Sequence, residues 1–300
     1  MLVGPAQAQR TVAVTLDDLP YTGQSLEEAS HATEALLAAL ATHNVSADVF
    51  IEGRRVEVDG EIEARRGLLR RWRDSGHALQ NHSYSHLHYS RTEIPDYLID
   101  VERGHSVVAA LLAEVPPFGR VRFFRAPFND LGETAEAREA LTESLDQRDV
   151  QLAPFTVEHA DWMFNTVYED ALARGDSALV RRVGHSYLAQ LDSAFAFAER
   201  LSVETFGREI PQLFLIHANR INADHLGGML ERLRRREYQF VSMEGAVSDP
   251  AYASADEYVA RWGVSWFHRW RVGLALPNVL REEPEPPSWV TEAYQELSER

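Results

Sequence analysis

Between residues 11 and 243, short apolar runs alternate with longer amphipathic segments, and that alternation constrains the fold more than any other feature of the chain. The apolar runs fall at 11–16, 47–51, 77–81, 121–125, 149–157, 212–217 and 238–243. The amphipathic segments fall at 25–43, 61–75, 92–114, 133–146, 167–205, where the pattern is broken, and 222–236. Strands that alternate with helices predict a parallel sheet, because each crossover returns the chain to the same sheet edge-on-edge. Ser25 with Glu28 predicts a capping box, Gly76 a helix stop, and Asn222 the cap of the helix that follows it. A doubly wound open sheet would satisfy the same pattern. It is disfavoured because Asp17-Asp18-Leu19-Pro20 stands where a glycine-rich phosphate loop should follow the first strand. An α/β barrel of ordinary size is therefore the expectation for 300 residues with 45% hydrophobic content.

Charge and composition narrow the class of partner. With 46 acidic against 30 basic residues, the net charge of −16 repels phosphate backbones, so nucleic acid is not expected as a partner. No stretch approaches the roughly 18 consecutive apolar residues of a membrane span. The absence of cysteine rules out disulfides and thiolate ligands. Residues 1–10 read as a signal-peptide remnant or a disordered start, with Ala6-Gln7-Ala8 as a small-x-small cleavage site. This predicts an exported bacterial protein, periplasmic or extracellular. A catalytic domain is expected over 11–249, followed by an aromatic-rich extension and tail over 250–300. There Trp262, Trp266, Phe267 and Trp270 are read as packing rather than as a sugar platform, and residues 282–287 as an extended linker. Oligomeric state is left open.

The chemistry gathers where strands end. Asp17 and Asp18 leave the first apolar run, and two adjacent carboxylates at the end of a buried strand need a compensating positive charge. Asn81-His82-Ser83-Tyr84-Ser85-His86 can supply it through a metal, since histidines four apart share one face of a helical turn. Two nitrogens and one carboxylate oxygen leave a coordination position open, which is the layout of a catalytic centre. Arg125, Asp161-Trp162 and His217 stand after the fourth, fifth and sixth runs, and in a parallel barrel those strand ends share one cleft.

With these residues in view, the chain resembles the polysaccharide deacetylases, carbohydrate esterase family 4, over roughly residues 11 to 245. Five motifs carry the resemblance: Thr15-Leu16-Asp17-Asp18, Asn81-His82-Ser83-Tyr84-Ser85-His86, Arg125-Ala126-Pro127-Phe128, Asp161-Trp162 and Leu215-Ile216-His217. It implies a distorted (β/α) barrel with about seven parallel strands. It implies Asp17 as general base, Asp18, His82 and His86 as ligands of one divalent metal, and Arg125 as the tether of the base. The backbone N–H of Phe128 would help hold the oxyanion, Trp162 and Leu215 would wall the acetyl pocket, and His217 would be the general acid partnered by Asp161. The activity implied is hydrolysis, by metal-activated water, of N-acetyl or O-acetyl groups on an acetylated glycan. Two His and one Asp suit zinc best, with cobalt, nickel and manganese also compatible. The motifs depart from the family at Leu19-Pro20, Asn129 and Ala218-Asn219, which affects the walls of the cleft rather than the ligands. Two rival functions remain: hydrolysis of a small cyclic amide or ureide, and glycan binding without catalysis.

Overall fold

The computed structural model describes residues 9–117 and 119–299. The expected remnant at 1–10 therefore lies outside the described residues except for its last two. Seven strands form one parallel sheet: β1 (Thr11–Leu19), β2 (Ala47–Ile51), β3 (Ala78–Asn81), β4 (Phe123–Phe124), β5 (Gln151–Leu152), β6 (Gln212–His217) and β7 (Gln239–Phe240). Their order is β5-β4-β3-β2-β1-β6, with β7 paired to the start of β1. The sheet curls into a distorted barrel. After β5 the chain crosses to β6, where Val157 bridges Phe214 in parallel and Thr156 N–H donates to Leu213 O at 2.9 Å.

Several expected strands are shorter than their apolar runs, for local reasons. At 121–125 the ladder is interrupted because the Gln80 side-chain oxygen accepts from the N–H groups of Arg122 and Phe123, taking the place of a backbone carbonyl. At 149–157 the run serves two neighbours in succession, β4 and then β6. The first strand is longer than expected, running to Leu19, with its pairing to β2 shifted between Leu16 and Leu19.

Inside the barrel, Ala13, Phe50, Phe123, Ala153 and Leu213 form a small core closed below by Met243 and Ala246. A larger core lies between the sheet and the surrounding helices. Helix Leu26–Thr42 begins at Ser25, whose hydroxyl accepts from Glu28 N–H, the N-cap half of the expected capping box. The broken segment resolves into helices Asp161–Ala173 and Ser177–Phe206, separated at Gly175, whose φ of 69° suits glycine, with Asp176 capping the second. Helix Arg220–Arg235 is capped by Asn219 and not by Asn222, a correction that matters below. The Pro-rich segment expected as a linker lies against the barrel, where Gln190 donates to Pro284 O. Beyond it, helix Ser288–Ser298 packs on helix Asp161–Ala173.

Candidate active site

Asp17 and Asp18 are neighbours, so ordinary strand alternation would send their carboxylates to opposite faces of β1. Asp17 keeps the inward direction. Its Oδ1 accepts from Arg125 Nη1 at 3.2 Å, and the same nitrogen reaches Thr15 Oγ1 at 2.9 Å on the same face of β1. Asp18 is turned away from its alternation position by a left-handed backbone (φ 64°) at the register shift of β1. A non-glycine residue held there stores strain on the order of 1 kcal/mol or more, which the surrounding structure must over-determine. Both carboxylates consequently face the histidines. Asp18 Oδ1 is 3.4 Å from His82 Nε2 and 3.3 Å from His86 Nε2, and Asp17 Oδ2 is 3.9 Å from His82 Nε2.

The histidines do not sit on a helical turn, contrary to expectation. Residues 82–88 form a loop in which Ser83 (φ 63°) and His86 (φ 56°) are left-handed, and this folds the two rings to a centroid distance of 5.0 Å. Three side chains set the loop. Asn81 Oδ1 accepts from Ser83 N–H, Ser83 Oγ accepts from His86 N–H, and the Asp100 carboxylate accepts from the N–H groups of Tyr84 and Ser85. Asp100 was invisible as a functional residue in the sequence; its one signal is a carboxylate on the buried face of helix Ile94–Leu112. Gly104, one turn further on, lets that helix close on the loop. A Cβ there would lie 2.4 Å from the Ser83 carbonyl and 2.5 Å from Asn81 Oδ1.

Asp18, His82 and His86 each offer a ligand atom, and these atoms all lie within 4.8 Å of one another. His82 Nδ1 donates to Arg125 O at 2.8 Å, which leaves the Nε2 lone pair facing Asp18. Asp18 Oδ1 is buried and has no hydrogen-bond partner. An orphaned carboxylate oxygen facing two imidazole nitrogens fits a divalent cation, since an uncompensated buried charge is costly and the O,N,N donor set is one that zinc accepts. Burial alone would raise the Asp18 carboxyl, but the two histidines hold it well below the usual range.

His217 lies directly opposite Asp17 in the β1–β6 pairing, and Ala218 N–H donates to Asp17 O at 2.9 Å. Its Nδ1 donates to Asp161 Oδ1 at 2.7 Å and its backbone N–H to Asp161 Oδ2 at 2.7 Å. Nε2 is thereby left for the cleft. Burial would lower the imidazolium pKa, yet the Asp161 carboxylate, followed by those of Asp18 and Asp17, raises it to about 10. Asp161 is in turn buried, and His217 holds its carboxyl below the ordinary value despite that burial. Asn219 and Asn222 both donate to Asp161 Oδ2. Asn222 is thus part of the site rather than a helix cap, donating to His217 O as well. Only its position one turn after His217 could have suggested this.

Arg125 is fully buried inside the barrel. It is held by Thr15, Asp17 and Pro154 O, with its guanidinium 4.5 Å from the Phe50 ring centroid, and burial pushes its pKa down while Asp17 and Asp48 oppose that. Leu215, buried, sits beside Thr15 one layer below His217. Phe128 is left-handed (φ 57°) and 44% exposed, with its ring edge-on to His86 at 4.6 Å. Trp162, also 44% exposed, meets Tyr294 of the C-terminal helix at 5.0 Å. His88, given no role by sequence, stacks on Phe128 at 3.5 Å. His225 packs against Gly184 and Tyr168.

The mouth of the barrel thus gathers two carboxylates and two imidazoles around one candidate cation site, and comparison with known proteins shows where similar chains occur. Residues 4–144 match the family model described as polysaccharide deacetylase. A peptidoglycan-N-acetylglucosamine deacetylase of Bacillus cereus is 24% identical over 151 residues, which cover 50% of this chain and 46% of that protein. The match thus spans about half of that relative's length. Among solved structures, a carbohydrate esterase family 4 pseudoenzyme from Bacillus anthracis superposes with a TM-score of 0.56 at 16% identity, covering 81% of this chain and 66% of that one. The peptidoglycan deacetylase PdaC from Bacillus subtilis gives 0.53 at 18% identity, covering 82% and 95%. A family 4 carbohydrate esterase from Streptomyces lividans, solved with acetate, gives 0.52 at 18% identity, covering 80% and 97%. Over residues 4–144 the chain is thus similar to the polysaccharide deacetylases, and the solved carbohydrate esterases share its fold.

Proposed function

We propose that this protein is a metal-dependent deacetylase that removes N-acetyl, or alternatively O-acetyl, groups from a glycan outside the cytoplasm of a bacterium. The observation that carries this reading is the pairing across β1 and β6. A carboxylate tethered by a buried arginine stands opposite a histidine held by a buried aspartate, with the orphaned Asp18 oxygen and two imidazoles alongside. Asp18, His82 and His86 would hold one divalent ion, zinc in first place, with cobalt, nickel or manganese as substitutes. Bound there, the ion supplies Lewis acidity that polarises the acyl oxygen and lowers the pKa of coordinated water to about 7.

The chain's own groups handle the protons. Asp17 accepts a proton from the attacking water, and Arg125 fixes the carboxylate in place for that task. The backbone N–H of Phe128 helps hold the oxyanion as the carbonyl carbon becomes tetrahedral. An amine leaves poorly unless protonated, so His217, whose Nδ1 is occupied by Asp161, gives its Nε2 proton to the departing nitrogen as the C–N bond breaks. Trp162 and Leu215 wall the pocket for the acetyl methyl. Acetate and a free amine result.

The same fold is borne by a protein described as a pseudoenzyme, so activity has to rest on these side chains rather than on the barrel. The test is acetate release from acetylated glucosamine oligomers, measured on metal-stripped protein and after adding back Zn²⁺ or Co²⁺. Release restored by metal upholds the reading. Oligomer binding without acetate release under either metal would establish the non-catalytic alternative, and turnover of cyclic ureides alone would establish the other.

A further inference from the structure

The aromatic cluster of the C-terminal extension divides in two. Trp266, Phe267 and Trp270 are buried, as packing residues should be, but Trp262 is 55% exposed. Its ring is edge-on to His88 at 5.6 Å, His88 stacks on Phe128 at 3.5 Å, and Phe128 meets the candidate ligand His86 at 4.6 Å. An unbroken line of rings therefore runs from the candidate metal centre out to Trp262.

That position is built rather than incidental. Arg138 donates to Tyr258 O, Asp256 O and Asp256 Oδ2, and the buried Arg269 donates to Asp256 Oδ2 as well, so the extension is clamped to the barrel just before Trp262. Tyr258 Oη donates to Trp262 O at 3.3 Å. Just after it, Gly263 lies so close to the turn that follows Phe128 that a Cβ would approach Asn129 Cβ to 2.3 Å. Arg91 sits over the indole at 5.6 Å. Holding a large apolar ring in water with this much anchoring brings no folding benefit that a buried tryptophan would not exceed.

We propose that Trp262 is a specificity-determining residue: its indole stacks on a sugar ring of the glycan beyond the unit whose acetyl group enters the metal centre. The inference rests on the glycan reading above and adds the requirement for an oligomeric substrate. A pyranose presents an apolar C–H face, and an exposed indole next to an arginine offers both an apolar platform and a hydrogen-bond donor for such a ring. Phe128 and His88 bridge the gap between that ring and the acetylated one.

The test compares wild type with Trp262→Ala, Trp262→Leu and Trp262→Phe on acetylated glucosamine dimers and hexamers. Binding is followed by calorimetry and turnover by acetate release, with melting curves confirming that each variant is folded. Wild type should prefer the hexamer, and Trp262→Ala and Trp262→Leu should each reduce the hexamer-to-dimer ratio of kcat/KM about tenfold, the scale of one aromatic stacking contact. The loss should fall on KM, and Trp262→Phe should restore most of it. An unchanged ratio in Trp262→Ala, or leucine serving as well as phenylalanine, overturns the proposal. If wild type binds the hexamer more tightly than the dimer through Trp262 but releases no acetate, the stacking role stands and the catalytic reading falls.

Discussion

Replacing Asp161 by Asn isolates the electrostatic step on which the proposed proton transfer depends. The variant is nearly isosteric but removes the largest of the charges that raise His217 to about 10 from an ordinary value of 6.5. A general acid works only while protonated. At pH 8 the wild-type imidazole is about 99% protonated, whereas a ring returned to about 6.5 is roughly 3% protonated, a loss of about 30-fold in the active form. Burial lowers the ring pKa while Asp18 and Asp17 still raise it, so about 30-fold is the loss expected if Asp161 supplies the whole shift. At pH 6 the same variant keeps about three quarters of the ring protonated, and most of the deficit should disappear. Stability changes too. Asp161 accepts from the backbone and Nδ1 of His217 and from Asn219 and Asn222, and an amide has only one accepting oxygen for those donors. One donor is left facing an NH₂ group, at about 1–3 kcal/mol. The raised imidazole also contributes to folding, fully below pH about 6.5 and progressively less as pH rises through about 10, so the variant's melting temperature should lose its decline across that window. The assay is kcat/KM against pH, normalised to folded, metal-loaded protein. An alkaline limb in the same place for Asp161→Asn and wild type would refute the reasoning.

Two further perturbations address other parts of the site. Asp17→Asn should reduce turnover by about 10²–10⁴-fold while metal content by elemental analysis stays near one per chain, because Asp17 is tethered by Arg125 and is not in the candidate ligand set; loss of metal instead would exchange the roles of the two aspartates. Gly104→Ala should cost roughly 1–3 kcal/mol in chemical denaturation and weaken metal affinity, since the added Cβ meets the Ser83 carbonyl that shapes the ligand loop; unaltered affinity would show that the loop tolerates the displacement.

The side chains that the structure brings together as candidate ligands and proton carriers could be picked out in the sequence by residue type: paired carboxylates and imidazoles at the ends of apolar runs have few other uses. Conformation was less legible. The spacing of His82 and His86 matches a helical turn, yet the left-handed Ser83 and His86 make a loop do the same task, and nothing in their side chains announces positive φ. Asp18 likewise depends on a backbone twist that strand alternation cannot reveal. The two-residue strands β4 and β5 read long because apolar content reports burial rather than pairing, and Gln80 takes over part of the ladder. Asn222 was misread since asparagine near a helix start ordinarily caps it, whereas here Asn219 does. Trp262 could not be told from its buried neighbours, because a tryptophan's exposure is decided by segments brought together only in the fold.

Asp17 and His217 occupy facing rungs of one parallel ladder, so the main chains bearing the two proposed proton carriers stand about 4.8 Å apart, a spacing set by the sheet and not by any loop. Insertions around the mouth can therefore change which molecule enters while the spacing of the two backbones beneath stays constant. Change at the rim is free to proceed without disturbing the paired strands beneath.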